Sequence, residues 1–197
     1  MADKIRLGFV GANVNSTWSS QSHFPALLAS PDVEMTAVCT SRPESAEEAR
    51  QHFGAKFAFH DFREMMASPE IDAVAVVIRV PLHYDPTKAA IEAGKHVYCE
   101  KPLTLTIEEG RAICDAVAAT GCIFQTGSQP RTEYGGRFRR ACQAIRNGRI
   151  GDVKTVWIGV GDPPMVCDLP DEEVPAGYDW NRWLGQAPQR GFNKVLC

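Results

Sequence analysis

No run in this sequence is long and apolar enough to cross a bilayer: the longest, Ala73 to Ile78, is strand-sized, against about 18 residues or more for a spanning helix. The charged start Met1-Ala-Asp-Lys-Ile-Arg leads straight into strand-like sequence, which predicts a cytoplasmic protein without a secretory leader. Positive charge is not in excess either. With 21 Lys and Arg against 24 Asp and Glu, the net charge of -3 offers no electrostatic reason to expect a nucleic-acid partner. The one basic cluster, Arg137, Arg139, Arg140, Arg146 and Arg149, falls on a predicted helix and its end, where it reads as a solvated face with cations favoured near the C-terminus. Among 7 cysteines there is no C-x-x-C pair, and several sit in apolar patterns where Cys acts as a small hydrophobe, so reduced thiols and no metal site are expected. Repeats and low-complexity tracts are absent.

What is present is ordinary globular material, 44% hydrophobic and 23% charged. The 197 residues suffice for one well-buried domain of about 120 to 150 residues plus an appendage, and are few for two complete domains. Brief apolar segments at Ile5 to Val10, Met35 to Cys39, Lys56 to Phe59, Ala73 to Ile78, His96 to Glu100 and Cys122 to Gly127 lack polar alternation, as buried parallel strands do. Between them, Phe24 to Ala29, Pro43 to Phe53, Phe62 to Ala67, Tyr84 to Ala93 and Ile107 to Ala119 carry apolar residues at helical spacing. Asp61 with Glu64 and Thr106 with Glu109 fit capping boxes. Alternating strands and helices predict an α/β fold, a doubly wound parallel sheet of Rossmann type. Beyond residue 127 follow a basic helix, about Tyr134 to Asn147, one β-rich run from Val153 to Val160, and a Pro- and Gly-rich tail with a short helix at Tyr178 to Leu184. A lone strand cannot pair its backbone groups, so Val153 to Val160 implies strands outside this sequence and a truncated chain.

Chemistry-bearing residues gather at predicted strand ends. The first loop follows Leu7-Gly8-Phe9-Val10-Gly11, a place where backbone N–H groups and a helix N-terminus meet a pyrophosphate. Gly11-Ala12-Asn13-Val14-Asn15-Ser16 keeps only the first glycine of G-x-G-x-x-G, so Asn13, Ser16 and Thr17, ahead of a helix near Trp18, must supply left-handed geometry or side-chain hydrogen bonds. After the second strand, Ser41 and Arg42 stand where an acidic residue would select NAD, and suit a 2′-phosphate; NADP is favoured over NAD. Ser41 with Glu44 also fits a helix cap. After the fourth strand comes Arg79-Val80-Pro81-Leu82-His83, and after the fifth Glu100-Lys101-Pro102. A lysine beside a cationic nicotinamide gives up its proton more readily, because like charge and desolvation disfavour the ammonium, and it can then exchange a proton with an alcohol whose carbon surrenders hydride.

Ala93-Gly94-Lys95-His96-Val97-Tyr98-Cys99-Glu100-Lys101-Pro102, with Val80-Pro81-Leu82-His83 before it, resembles the signature of the Gfo/Idh/MocA oxidoreductases. Asn147-Gly148-Arg149-Ile150-Gly151 and Asp179-Trp180-Asn181-Arg182-Trp183-Leu184-Gly185 resemble the start of that family's second domain. The resemblance implies an NAD(P)-binding domain over residues 1–128 and, from 129 to 197, the beginning of an α+β antiparallel-sheet domain for substrate binding and oligomerisation. It implies Lys101 as the catalytic lysine, a cis Pro102, and a partner histidine beyond Cys197. On this reading Gly8, Gly11, Asn13, Ser16, Thr17 and Trp18 cradle phosphates, Ser41 and Arg42 hold the adenosine ribose, and Pro81, His83, Glu100, Pro102 and Gln129 line the nicotinamide side. The expected activity is hydride transfer between NAD(P) and a secondary hydroxyl of a sugar or cyclitol by a homo-oligomer, with this stretch alone lacking the second catalytic group. The loop from Gly11 to His23 is longer than usual for the family and is similar to that of the fungal galactose-regulon repressor, which makes a non-catalytic dinucleotide sensor the alternative.

Overall fold

The computed structural model describes residues 4–16, 18–129, 133–162, 165 and 167–197; for 133 and 134 only the backbone is described. The chain divides into two compact units, Met1–Gly127 and Ser128–Cys197.

In the first unit six strands form one sheet: β1 (Ile5–Val10), β2 (Val33–Cys39), β3 (Phe57–Phe59), β4 (Ala73–Val76), β5 (His96–Cys99) and β6 (Phe124–Thr126). Every neighbouring pair is parallel, in the order β3-β2-β1-β4-β5-β6. The chain winds outward from β1 to β3, then returns to the other side of β1. That reversal opens a crevice beyond the carboxyl ends of β1 and β4, where doubly wound sheets bind ligands.

Helices α1 (Phe24–Ala29), α2 (Pro43–Phe53), α3 (Phe62–Ala67), α4 (Tyr84–Glu92) and α5 (Ile107–Thr120) cover the sheet. Period-two alternation divides the core: Val74 and Val76 of β4 pack with Met65, Ile91 and Ile113 from α3, α4 and α5, whereas Ala75 and Val77 belong with Phe24 and Phe53 from α1 and α2. The Phe24 and Phe53 rings stack at 3.6 Å and lock α1 to α2. Thr106 and Glu109 complete the capping box of α5, each side chain accepting from the other's backbone N–H at 3.2 Å. Asp61 accepts from the Arg63 N–H at 2.8 Å.

Some elements differ from expectation. A π-helical turn, Ser19–His23, runs directly into α1. Strand β4 stops at Val76 rather than Ile78, because the Ile78 carbonyl turns out of the ladder to lie 2.8 Å from His83 Nε2. Ser41 is not the cap of α2: Arg42 holds that position without a side-chain bond, and its carbonyl accepts from the Thr40 and Ser45 hydroxyls at 3.0 and 3.1 Å.

The second unit holds α6 (Glu133–Arg146) and α7 (Trp180–Leu184), with a small cluster of Trp180, Leu184 and Phe192. The expected strand from Val153 to Val160 joins no ladder, and Trp157 there is 93% exposed. Among the described residues no helix is long and apolar enough to cross a membrane.

Candidate functional site

The loop leaving β1 comes so close to β4 that only glycine fits at its start. Gly11 has φ +99°, and a Cβ there would meet the Val77 carbonyl oxygen at 2.0 Å. Downstream, side chains brace the loop where the motif's later glycines are missing. Asn13 Oδ1 accepts from the Asn15 N–H at 2.8 Å, Ser16 Oγ accepts from the Ser19 N–H at 3.4 Å, and the Ser19 hydroxyl donates to the Gly11 carbonyl at 3.1 Å.

Two cavities open along this loop. The larger, about 590 Å³, runs from Gly11, Asn13 and Ser16 to Thr40, Ser41 and Arg42 at the end of β2. The smaller, about 390 Å³, runs from Ser16 and Trp18 to Glu100 and Lys101 at the end of β5. Ser16, Val77, Ile78 and Arg79 line both. Ser41, Arg42 and Lys101 are exposed to them.

The Glu100 carboxylate, 4% exposed, organises the lysine turn. Its Oε1 accepts from His23 Nε2 at 2.9 Å and the Tyr98 hydroxyl at 3.1 Å, and its Oε2 accepts from the Lys101 N–H at 2.9 Å. Burial, and then the charge of Glu100, push the Tyr98 phenol well above its ordinary range, so it stays a neutral donor. Gly127, just past β6, leaves room for this pair, since a Cβ there would lie 2.4 Å from the Tyr98 hydroxyl oxygen. The turn is held from behind by His83, which is 0% exposed and has Nε2 2.8 Å from the Ile78 carbonyl and Nδ1 3.0 Å from the Pro102 carbonyl. The Lys101-Pro102 peptide bond is cis. Cys39 also lines the larger cavity, and burial pushes its thiol up to about 12, which disfavours the thiolate.

Of the residues expected at a cofactor site, the structure brings Gly11, Asn13, Ser16, Trp18, Ser41, Arg42, Glu100 and Lys101 to the lining of one or both of these cavities. Others it places elsewhere. Gly8 lies inside β1, its missing side chain making room for Met65 Sδ, which a Cβ would meet at 3.0 Å, so it packs the sheet against α3 instead of facing a phosphate. The buried His83 ring has no open surface for a ligand, and Pro81 and Pro102 line neither cavity, whereas Arg79 and Leu82 do. Gln129 belongs to the second unit, and Thr17 lies outside the described residues. Sequence reasoning missed four residues: His23, Arg79, Tyr98 and Gly127. Arg79 was open to discovery as a charge at a strand end; the His23 contact with Glu100 spans 77 positions and left no local trace. Among the described residues no group of three His, Cys, Asp or Glu gathers to hold a metal ion.

Residues 5–128 match the family model Gfo/Idh/MocA, described as an oxidoreductase family with an NAD-binding Rossmann fold. The chain is 31% identical over 156 residues to scyllo-inositol 2-dehydrogenase (NADP(+)) of Bacillus subtilis (strain 168), covering 79% of this chain and 41% of that protein. It is 34% identical over 146 residues to 1,5-anhydro-D-fructose reductase of Ensifer adhaerens, covering 74% and 42%. Among solved structures, scyllo-inositol dehydrogenase from Lactobacillus casei with bound NAD(H) and scyllo-inositol superposes with a TM-score of 0.64 at 28% identity, over 76% of this chain and 43% of that one. The chain thus spans less than half the length of these relatives. With a Rossmann strand order, a glycine-tight first loop and a lysine at the tip of β5 all within the matched span, the chain belongs to the Gfo/Idh/MocA oxidoreductase family.

Proposed function

We propose that this chain holds NADP, or NAD as second choice, and contributes that cofactor and Lys101 to an oxidoreductase acting on a secondary hydroxyl of a sugar or cyclitol. The observation that carries the reading is the pair of cavities that share Ser16, Val77, Ile78 and Arg79 in their linings, one reaching Ser41 and Arg42 and the other Lys101. Together they offer an extended groove with hydroxyl and guanidinium donors at one end and an ammonium at the other, as an anionic dinucleotide requires.

The residues fit the group in stated roles. Ser41 and Arg42 hold the adenosine ribose and its 2′-phosphate, while Gly11, Asn13 and Ser16 let phosphate approach the backbone. Bound nicotinamide supplies hydride acceptance and donation at its C4. Lys101 carries the hydroxyl proton: as the neutral amine it accepts it from the alcohol in the oxidative direction, and as the ammonium so formed it returns it in the reductive one. Glu100 touches no substrate in this scheme; accepting from the Lys101 N–H, it holds the lysine backbone at the tip of β5. Residues 1–128 form the dinucleotide-binding domain, and 129–197 begin a second, substrate-binding and oligomerising domain, in which the exposed run around Trp157 finds its partner strands. The reading extends to a cytoplasmic homo-oligomer, and a small-molecule substrate in place of nucleic acid accords with the charge balance and with the relatives' names.

Calorimetric titration of this chain with NADP and NAD tests the reading. Both bind, NADP more tightly, and at 100 times the dissociation constant the folded state gains about 2.7 kcal/mol, seen as a rise in Tm. Lys101→Ala keeps dinucleotide affinity within a few-fold and, in a protein with its second domain, removes turnover. No heat with either dinucleotide at millimolar concentration overturns the proposal.

A further inference from the structure

Resting on the dinucleotide reading, we infer that Arg79 is the pyrophosphate-binding cation of this site, taking the place of the missing glycines of the first loop. A dinucleotide consists of two nucleosides joined at the middle by a doubly charged pyrophosphate. The cavity that reaches Arg42 takes the adenosine half, and the cavity that reaches Lys101 takes the nicotinamide half. The pyrophosphate then falls where the two cavities meet. Of the residues that line both, Ser16 offers a hydroxyl and Arg79 is the one with a charge.

Three further observations support the assignment. The first loop keeps a glycine only at Gly11, so close backbone approach to a phosphate is available at one point and not along the whole turn. The Arg79 side chain is exposed, and no carboxylate among the described residues pairs with it, so its guanidinium is not engaged in holding the fold. It also follows the end of β4, the strand paired with β1, on the stretch whose Val77 carbonyl oxygen a Cβ on Gly11 would meet at 2.0 Å. A planar fork of N–H donors suits a pyrophosphate better than a point charge would. Arg42, which lines the larger cavity alone, answers to a different anion, the 2′-phosphate.

The two roles separate in one set of titrations on the full chain with NAD, NADP and adenosine 2′-monophosphate, which carries the 2′-phosphate and no pyrophosphate. Arg79→Gln weakens NAD and NADP alike by roughly ten- to a hundredfold, the range for a lost charged hydrogen bond, and leaves adenosine 2′-monophosphate within about twofold. Arg42→Gln shows the opposite pattern, weakening NADP and adenosine 2′-monophosphate while sparing NAD. Unfolding curves check that the glutamine variant folds; if it does not, Arg79→Met, which keeps the alkyl stem, is judged by the same criteria. Dinucleotide affinities within about twofold of the unsubstituted chain, or an equal loss for adenosine 2′-monophosphate and NAD, overturn the role of Arg79. Absence of binding by the unsubstituted chain instead removes the dinucleotide reading on which it rests.

Discussion

Replacing Gly11 with alanine separates backbone strain from steric overlap at the crevice. At φ +99° an L side chain is strained by roughly 1–2 kcal/mol on conformation alone. Its Cβ would also lie 2.0 Å from the Val77 carbonyl oxygen and 2.8 Å from Ile78 Cγ2, too close for any neighbouring rotamer to relieve, because the first atom is backbone. Relief requires the loop to move off β4, which loosens the Gly11 N–H bond to the Cys39 carbonyl and the Val77 N–H bond to the Val10 carbonyl, both 2.9 Å. At about 1 kcal/mol each, the total reaches roughly 3–4 kcal/mol. Gly54 is the control: its φ is +69°, nothing lies within 4 Å of its ideal Cβ, and Gly54→Ala should lose only the conformational part, about 1 kcal/mol. Urea unfolding followed by circular dichroism gives both values by linear extrapolation. A second readout is stabilisation by NADP, retained in Gly54→Ala and lost in Gly11→Ala. A Gly11→Ala chain within about 0.5 kcal/mol of the control would refute the overlap argument.

Two further outcomes follow from buried and paired groups. His83→Ala leaves a void in a fully enclosed position and two carbonyls short of a neighbour, and should destabilise the first unit by about 2–4 kcal/mol; a loss below about 1 kcal/mol in the same urea assay would show that the ring is not bracing the lysine turn. Hydrogen bonding from the Arg6 guanidinium holds the Asp72 carboxyl down at about 2, below its ordinary 3.8, so the pair's stabilisation is complete above about pH 4 and is lost as pH falls toward 2. Because the Asp72 side chain is 39% exposed, solvent screening keeps this near 0.5–1 kcal/mol, and Asp72→Asn should flatten the stability profile across that window; an unchanged slope would reject the linkage.

Helices α1, α2 and α3 occupy the spans that periodicity predicted, because their signals are local: Pro25 and Pro43 stand in first turns and Asp61 caps the next helix. Lys101 was likewise legible, since a charge pair at the end of an apolar strand is hard to explain as core. His83 shows the limit. Its position after β4 suggested a ligand contact, but which way a ring turns depends on whether other segments present partners, and here Ile78 and Pro102 draw it inward. Gly8 misled for a related reason: a glycine beside a phosphate and a glycine beneath Met65 look the same in one dimension.

By itself, then, the chain's order of residues determined the alternation of strand and helix, the parallel sheet and the placing of its polar residues at the carboxyl ends, because backbone propensity and apolar period act over a few neighbours. The tertiary structure alone decided that His23 reaches Glu100, that two cavities meet at Ser16 and Arg79, and that His83 is enclosed. Those facts depend on β1, β4 and β5 lying side by side in the sheet, and no local preference along the chain records which loops that adjacency brings face to face.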